Sequence, residues 1–506
     1  MVTRLSESKG EPNGEQKSSE GVVVKIAGES RKERRPERKE RRVDSDLMSG
    51  KRQKTPEQLA LPFTGSGETE AGKAEGTETR RVERGNESPA GNQRRREEIC
   101  ERENVRAALK RVRSNKGGPG VDGMTVEQLP DYLREHWAEI REQLLKGTYQ
   151  PRPVKRMEIP KPEGGVRKLG IPTVLDRFIQ QAVAQVLQRQ WDPTFSEHSY
   201  GFRPGRSAHQ AVARAQQYIA EGFTWCVDLD LEKFFDRVNH DKLMGQIAKR
   251  EGDRRLRKLI RAFLNAGVME NGLVSPSVEG TPQGGPLSPL LSNLVLDEFD
   301  RELTRRGHRF VRYADDCNIY VRSERAGQRV MEGMKQFITR ELKLKVNDSK
   351  SAVAKPQERK FLGFSFTGGK ELKRKIAPKA NERFKERIRE ITRKAKGRSM
   401  EQVMGELAPY IRGWRSYYGF CETPRVLKQL DSWIRRRLRC AFWRQWKTGW
   451  KRFAELVKLG SSRVEAAKAA GACCGPWRAS HNPVLDRALS NAHLASIGLP
   501  SLAEGR

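Results

Sequence analysis

The chain is 506 residues long, several times the usual size of one domain, so more than one domain and at least one sizeable core are expected. Lys and Arg number 99 against 65 Asp and Glu, and the resulting net charge of +34, spread along the chain, calls for a polyanionic partner, nucleic acid before membrane. The absence of a run of about 18 apolar residues excludes a helical membrane span, and the polar N-terminus lacks the apolar core of a secretory signal, so no membrane partner and a cytoplasmic location are expected.

Residues 1–98 hold 22 basic and 19 acidic residues and one aromatic, Phe63, a composition that cannot bury enough apolar surface to offset chain entropy. A disordered N-terminal leader is expected there. From Ile99 the pattern turns globular, with a helical period through Val105, Leu109 and Val112 and a glycine-rich turn at 115–120. A mixed α/β stretch is expected over 99–375. Beyond it the chain reads as helical and basic, with 22 Lys or Arg against 8 Asp or Glu in residues 379–460. The expected units are therefore 1–98, 99–375, 376–450 and a basic tail, 451–506. Seven cysteines, an odd number without paired spacing, suit a reducing compartment better than a disulfide scaffold.

Three segments carry chemistry. Residues 159–172, IPKPEGGVRKLGIP, read as a hairpin whose Glu-Gly-Gly turn lies between basic arms holding Lys161 and Arg167. Residues 223–235, FTWCVDLDLEKFF, alternate so that Val227, Leu229 and Leu231 share one face and Asp228 and Asp230 the other. Residues 310–321, FVRYADDCNIYV, read as a hairpin that presents Asp315 and Asp316 side by side, either as a surface turn or as a site for a hard cation such as Mg²⁺. Carboxylates from two such strands can hold two metal ions about 4 Å apart, one activating a 3′-hydroxyl and the other stabilising a leaving pyrophosphate.

With Tyr313-Ala314-Asp315-Asp316 at its centre, this series closely resembles the reverse transcriptases encoded by bacterial group II introns, over roughly residues 99 to 506. The resemblance implies a right-hand polymerase, with α/β fingers and palm followed by an α-helical thumb or maturase domain. It implies that Asp230, Asp315 and Asp316 are catalytic and bind two Mg²⁺ ions, with Mn²⁺ as an in vitro substitute. Asp228 then falls outside the metal set and reads as a hydrogen-bonded strand residue. Phe235 matches the bulky residue beneath the incoming sugar that excludes a 2′-hydroxyl, the alternative being a core phenylalanine beside Phe234. Lys161 and Arg167 would close over the triphosphate, the alternative being solvated surface charge. Gln283, in 280–289, GTPQGGPLSP, would lie near the nucleotide and the template base.

Arg203 and Arg206, in 198–211, HSYGFRPGRSAHQA, would touch template or position the fingers. Lys350 and 361–363 resemble the last palm strands and read as structural. Residues 410–420, with Arg412, and 430–439 match the maturase domain. In the second piece Leu427, Leu430, Ile434, Leu438 and Ala441 recur at helical spacing, leaving Arg435, Arg436 and Arg439 on another face for phosphate or for solvent. Tryptophans 433, 443, 446 and 450 read as core, with one available to stack on a base. The last 56 residues offer Cys473, Cys474, His481 and His493 without paired CxxC units, so an HNH-type nuclease module is not expected, the two cysteines read as small buried residues, and the segment resembles the DNA-binding tail of endonuclease-lacking members.

The resemblance implies an RNA-directed DNA polymerase acting on an RNA template, a DNA primer and deoxynucleoside triphosphates. The same protein would bind its parent group II intron RNA to assist splicing and copy the intron at a DNA target during retrohoming, nucleoid-associated when on that target. A splicing cofactor without polymerase activity and a domesticated or defence reverse transcriptase stand as alternatives. Loss of Asp230, Asp315 or Asp316 would favour the cofactor, and all three are present.

Overall fold

The computed structural model describes residues 89–160, 166–270, 273–276, 279–281, 284–369, 371–393, 395 and 397–503. Residues 1–88 of the expected leader, together with Lys161 and Gln283, lie outside the described residues. Described structure begins before the expected boundary at 98, with the helix Pro89–Cys100. Arg95 pairs with Glu251 at 2.9 Å and Arg96 pairs with Asp253. Both carboxylates are buried, and a buried charge without a counter-ion is costly, so these arginines belong to the body of the fold.

Among the described residues the strands are β1 (Val154–Pro160), β2 (Val166–Ile171), β3 (Trp225–Leu229), β4 (Val268–Glu270), β5 (Leu273–Ser275), β6 (Arg309–Tyr313), β7 (Asp316–Val321), β8 (Ala352–Ala354), β9 (Phe364–Phe366) and β10 (Arg374–Ile376). They form a fingers sheet in the order β2-β1-β4-β5, a palm sheet in the order β6-β7-β3-β8, and the pair β10-β9. The palm sheet is buried on both faces, and β7 is accordingly buried at every position after Asp316. Val227, Leu229, Phe310 and Ile319 enter a core shared with the N-terminal and palm helices. Cys226, Val311 and Tyr320, of opposite parity, enter a second core built with the helices Pro378–Arg393, Met400–Tyr418 and Pro424–Gln445. One sheet therefore ties palm and thumb together.

The helix Pro424–Gln445 buries Leu427, Leu430, Ile434, Leu438 and Ala441, the face read from its period. Its far end carries Trp443 and Trp446 into a third core with Leu456, Ala466 and Leu485, so residues beyond 450 pack on the thumb. The C-terminal segment returns as well: Asp431 accepts hydrogen bonds from the backbone N–H of Leu502 at 2.8 Å and of Ala503 at 3.0 Å. Among the described residues no helix is long and apolar enough to cross a membrane.

Candidate active site

The register of the palm strands assembles the site. β3 runs antiparallel to β7 with Leu229 opposite Cys317, and β6 pairs with β7 with Tyr313 opposite Asp316. Asp230 follows the last residue of β3, and Ala314 and Asp315 form the β6–β7 turn, so three carboxylates gather at neighbouring strand ends. Asp230 is 8% exposed and its backbone N–H donates to Ser351 Oγ at 3.0 Å. Burial pushes the Asp315 carboxyl above the usual carboxylate range, Asp230 adds to the rise, and Arg167 and Lys350 oppose it. Asp230 and Asp315 thus feel one another as like charges, and β2 brings the Arg167 cation within electrostatic reach of Asp315.

Lys350 sits on the site itself, its Nζ 3.0 Å from Asp230 Oδ2. Lys350, expected to be structural, thus pairs its ammonium with a buried carboxylate of the candidate site. Among the described residues no group of three His, Cys, Asp or Glu side chains converges tightly enough to hold a metal ion. Asp230 and Asp315 are electrostatically joined. The donor chemistry still fits a hard divalent ion: buried carboxylate oxygens, mutually repelling, that at present draw a cationic side chain. Asp228 lies one strand position away from this cluster in the sense of the pleat and is held by Arg359 at 2.6 Å, as a hydrogen-bonded strand residue.

Phe235 is half-buried, edge-on to Phe234, and lines a cavity of about 210 Å³ with Arg156, Lys168, Gly170 and Thr281. Its carbonyl accepts the Thr281 N–H at 2.7 Å, so the loop that follows Gly280 is fastened directly to the expected sugar gate. Gly284 sits at φ +137°, and a Cβ there would lie 2.7 Å from the Gly170 carbonyl, so glycine lets this loop reach β2. The two segments that the sequence separates by a hundred residues meet at one cavity.

One organiser escaped the sequence reading. Arg312, the penultimate residue of β6 and 1% exposed, forks onto Asp300 at 2.7 and 2.6 Å and also donates to Ser199 Oγ, Asn293 Oδ1 and the Ala314 carbonyl, the last at 2.8 Å. A basic residue inside a strand carries no local sign of burial, and its partner lies on the helix Ser288–Arg305. The Ala314 bond fixes the turn that presents Asp315.

The expected nucleic-acid arginines divide by burial. Arg412 and Arg206 are exposed, Arg206 lying over the Tyr200 ring at 5.6 Å. Arg203 is buried, pairs with Asp192 at 3.0 Å and donates to the carbonyls of Ser196 and Ser199, so it builds its own loop and cannot reach template. Arg439 is also buried, pairing with Asp486 and donating to the Leu489 carbonyl. Arg436 stacks on Trp477 at 3.7 Å. The tail covers the helix face expected to bind phosphate, leaving Arg435 half-exposed. Trp443 and Trp446 are core, whereas Trp450 is 78% exposed and stacks on Phe453 at 5.7 Å. Cys473 is exposed rather than buried and Cys474 is half-buried.

Residues 159–366 match the family model described as reverse transcriptase (RNA-dependent DNA polymerase), and residues 381–460 match that of the group II intron, maturase-specific domain. The chain is 33% identical over 302 residues to protein YkfC of Escherichia coli (strain K12), covering 52% of this chain and 78% of that one. It is 31% identical over 323 residues to the group II intron-encoded protein LtrA of Lactococcus lactis subsp. cremoris, covering 51% of this chain and 54% of LtrA. The match thus spans about half of LtrA's length. Among solved structures, a chain of the partial Cas6-RT-Cas1–Cas2 complex is 27% identical, covering 48% of this chain and 42% of that chain at a TM-score of 0.31, too low to carry an argument.

Proposed function

We propose that this chain, which belongs to the family of group II intron-encoded reverse transcriptases with a maturase-specific domain, copies RNA into DNA and grips its parent intron RNA with the thumb to assist splicing. The observation that carries the reading is the meeting of Asp230 and Asp315 at adjacent strand ends inside the matched polymerase segment. Two Mg²⁺ ions held by these carboxylates, with Asp316 beside them, would activate a primer 3′-hydroxyl and stabilise the leaving pyrophosphate. Arg167 is placed to meet the triphosphate as a planar fork. Lys350 balances the buried charge of Asp230 and keeps that side chain aimed at the turn. Phe235 blocks the space a 2′-hydroxyl would need. Use of a DNA target during retrohoming, and a cytoplasmic or nucleoid location, belong to the same proposal.

The reading is tested by extending a DNA primer on an RNA template with the purified chain, deoxynucleotides and Mg²⁺. RNA binding without any extension would favour the splicing-cofactor alternative instead. Within this reading, Phe235→Ala is expected to raise ribonucleotide incorporation relative to deoxynucleotide by about 10- to 100-fold, since a pocket that rejects by bulk alone loses that discrimination when the bulk goes. Unchanged selectivity in competition assays would return Phe235 to the core. Trp450, flanked by the exposed Lys447 and Lys451, is expected to stack on an unpaired base. Trp450→Ala should weaken binding of single-stranded RNA by about 1–3 kcal/mol, with Trp450→Phe retaining much of it. Equal affinity of the parent and alanine proteins in fluorescence anisotropy would count against this contact.

A further inference from the structure

Phe202 stands beside the catalytic turn in a conformation that local physics disfavours. Its φ is +60°, a region that bulky side chains with a Cβ rarely enter, and its ring is 43% exposed. The ring gains little burial to offset that conformation. Both neighbours are fixed. Gly201 offers its carbonyl to Asn293 Nδ2 at 2.9 Å and lies so close to the turn that a Cβ on it would sit 2.3 Å from Ala314 N. Arg203 is locked by Asp192, Ser196 and Ser199, and Tyr200 N–H donates to the Arg312 carbonyl at 2.9 Å. The loop therefore has no freedom to withdraw the ring, and the strain is maintained by the same Arg312 hub that holds Ala314.

We infer that the Phe202 ring is a contact for the growing end of the primer–template duplex, packing on the sugar of a nucleotide next to the primer terminus. The inference rests on the polymerase reading of Asp230 and Asp315. A 3′-hydroxyl that reacts at those carboxylates must be led there by nucleotides crossing the surface next to Ala314, and the exposed Phe202 directly follows Gly201, whose backbone lies against that turn. An apolar ring suits the flat, uncharged face of a sugar, and the exposed Arg206 four residues on supplies charge for the adjoining phosphate. Phe202 is thus a positioning residue that steadies the primer end without taking part in bond making.

Phe202→Gly separates this role from a structural one, because glycine adopts positive φ without strain. The expected result is a melting temperature equal to or above that of the parent, dissociation of an RNA/DNA primer–template about tenfold faster, and an unchanged KM for deoxynucleotide. Phe202→Tyr should restore the parent dissociation rate. A glycine variant that releases primer–template at the parent rate overturns the inference, as does one whose faster release comes with a lowered melting temperature and is not rescued by tyrosine. Because release is measured by anisotropy without nucleotide, a parent protein that binds duplex but extends nothing would sink the polymerase reading while the ring's contact is still decided.

Discussion

Replacing Arg312 with leucine is expected to lower stability by about 3–5 kcal/mol, because it strands a buried carboxylate rather than merely removing a favourable pair. Asp300 is 0% exposed and receives both prongs of the guanidinium, and no solvent can take their place. The same deletion frees the Ala314 carbonyl, Ser199 Oγ and Asn293 Oδ1, so the turn that presents Asp315 and the loop ahead of Phe202 lose their common anchor. Arg312→Lys should also fail in large part, since a point charge cannot fork onto two oxygens and reach a carbonyl as well. The companion change Asp300→Leu in the Arg312→Leu background should recover part of the loss, as a buried pair exchanged for apolar groups is far less costly than half a pair. Urea unfolding of the three variants checks this. Parent-like stability of Arg312→Leu would mean that the hub does not hold the palm together.

Asp315→Asn is expected to move stability and activity in opposite directions. The amide keeps the shape of the side chain but not its charge, so burial no longer penalises it and the repulsion from Asp230 disappears. Stability should be equal to or above the parent's, as is common where a site is built for reaction rather than for folding. Primer extension should fall by at least about 10³-fold, on the order of 4 kcal/mol, because a carboxylate proposed to hold the activating cation is gone. Affinity for primer–template should change little, since the proposed nucleic-acid contacts lie on surfaces beyond the turn. An Asp315→Asn protein that is less stable and loses affinity in step would identify the residue as part of the scaffold.

The parts of this site legible from sequence are those that depend on local period. The alternation around Asp228 and Asp230, the Asp315-Asp316 hairpin and the apolar face of the helix Pro424–Gln445 all follow from side-chain direction along one element. The parts that were not legible depend on pairing between one element and another, which no period along a single element shows. Lys350 comes to Asp230 from across a 120-residue gap in the chain, and Arg312 finds Asp300 on the helix behind the sheet. Arg203 and Arg439 look like surface arginines in sequence because nothing local announces Asp192 or Asp486 as their partners. The packing of the tail was equally hidden: its end returns to Asp431 and its Trp477 covers Arg436. Asp228 was separable from Asp230 by motif position, and its bond to Arg359 supplies the physical reason.

The most direct measurement of the central claim is single-turnover extension of a DNA primer on an RNA template by equal amounts of parent and Asp315→Asn protein, both saturated with primer–template and supplied with Mg²⁺ and deoxynucleotides. The account predicts rapid addition by the parent and a rate at least about 10³-fold lower for the variant at full occupancy. Equal rates for the two proteins, with both bound to the duplex, would contradict it.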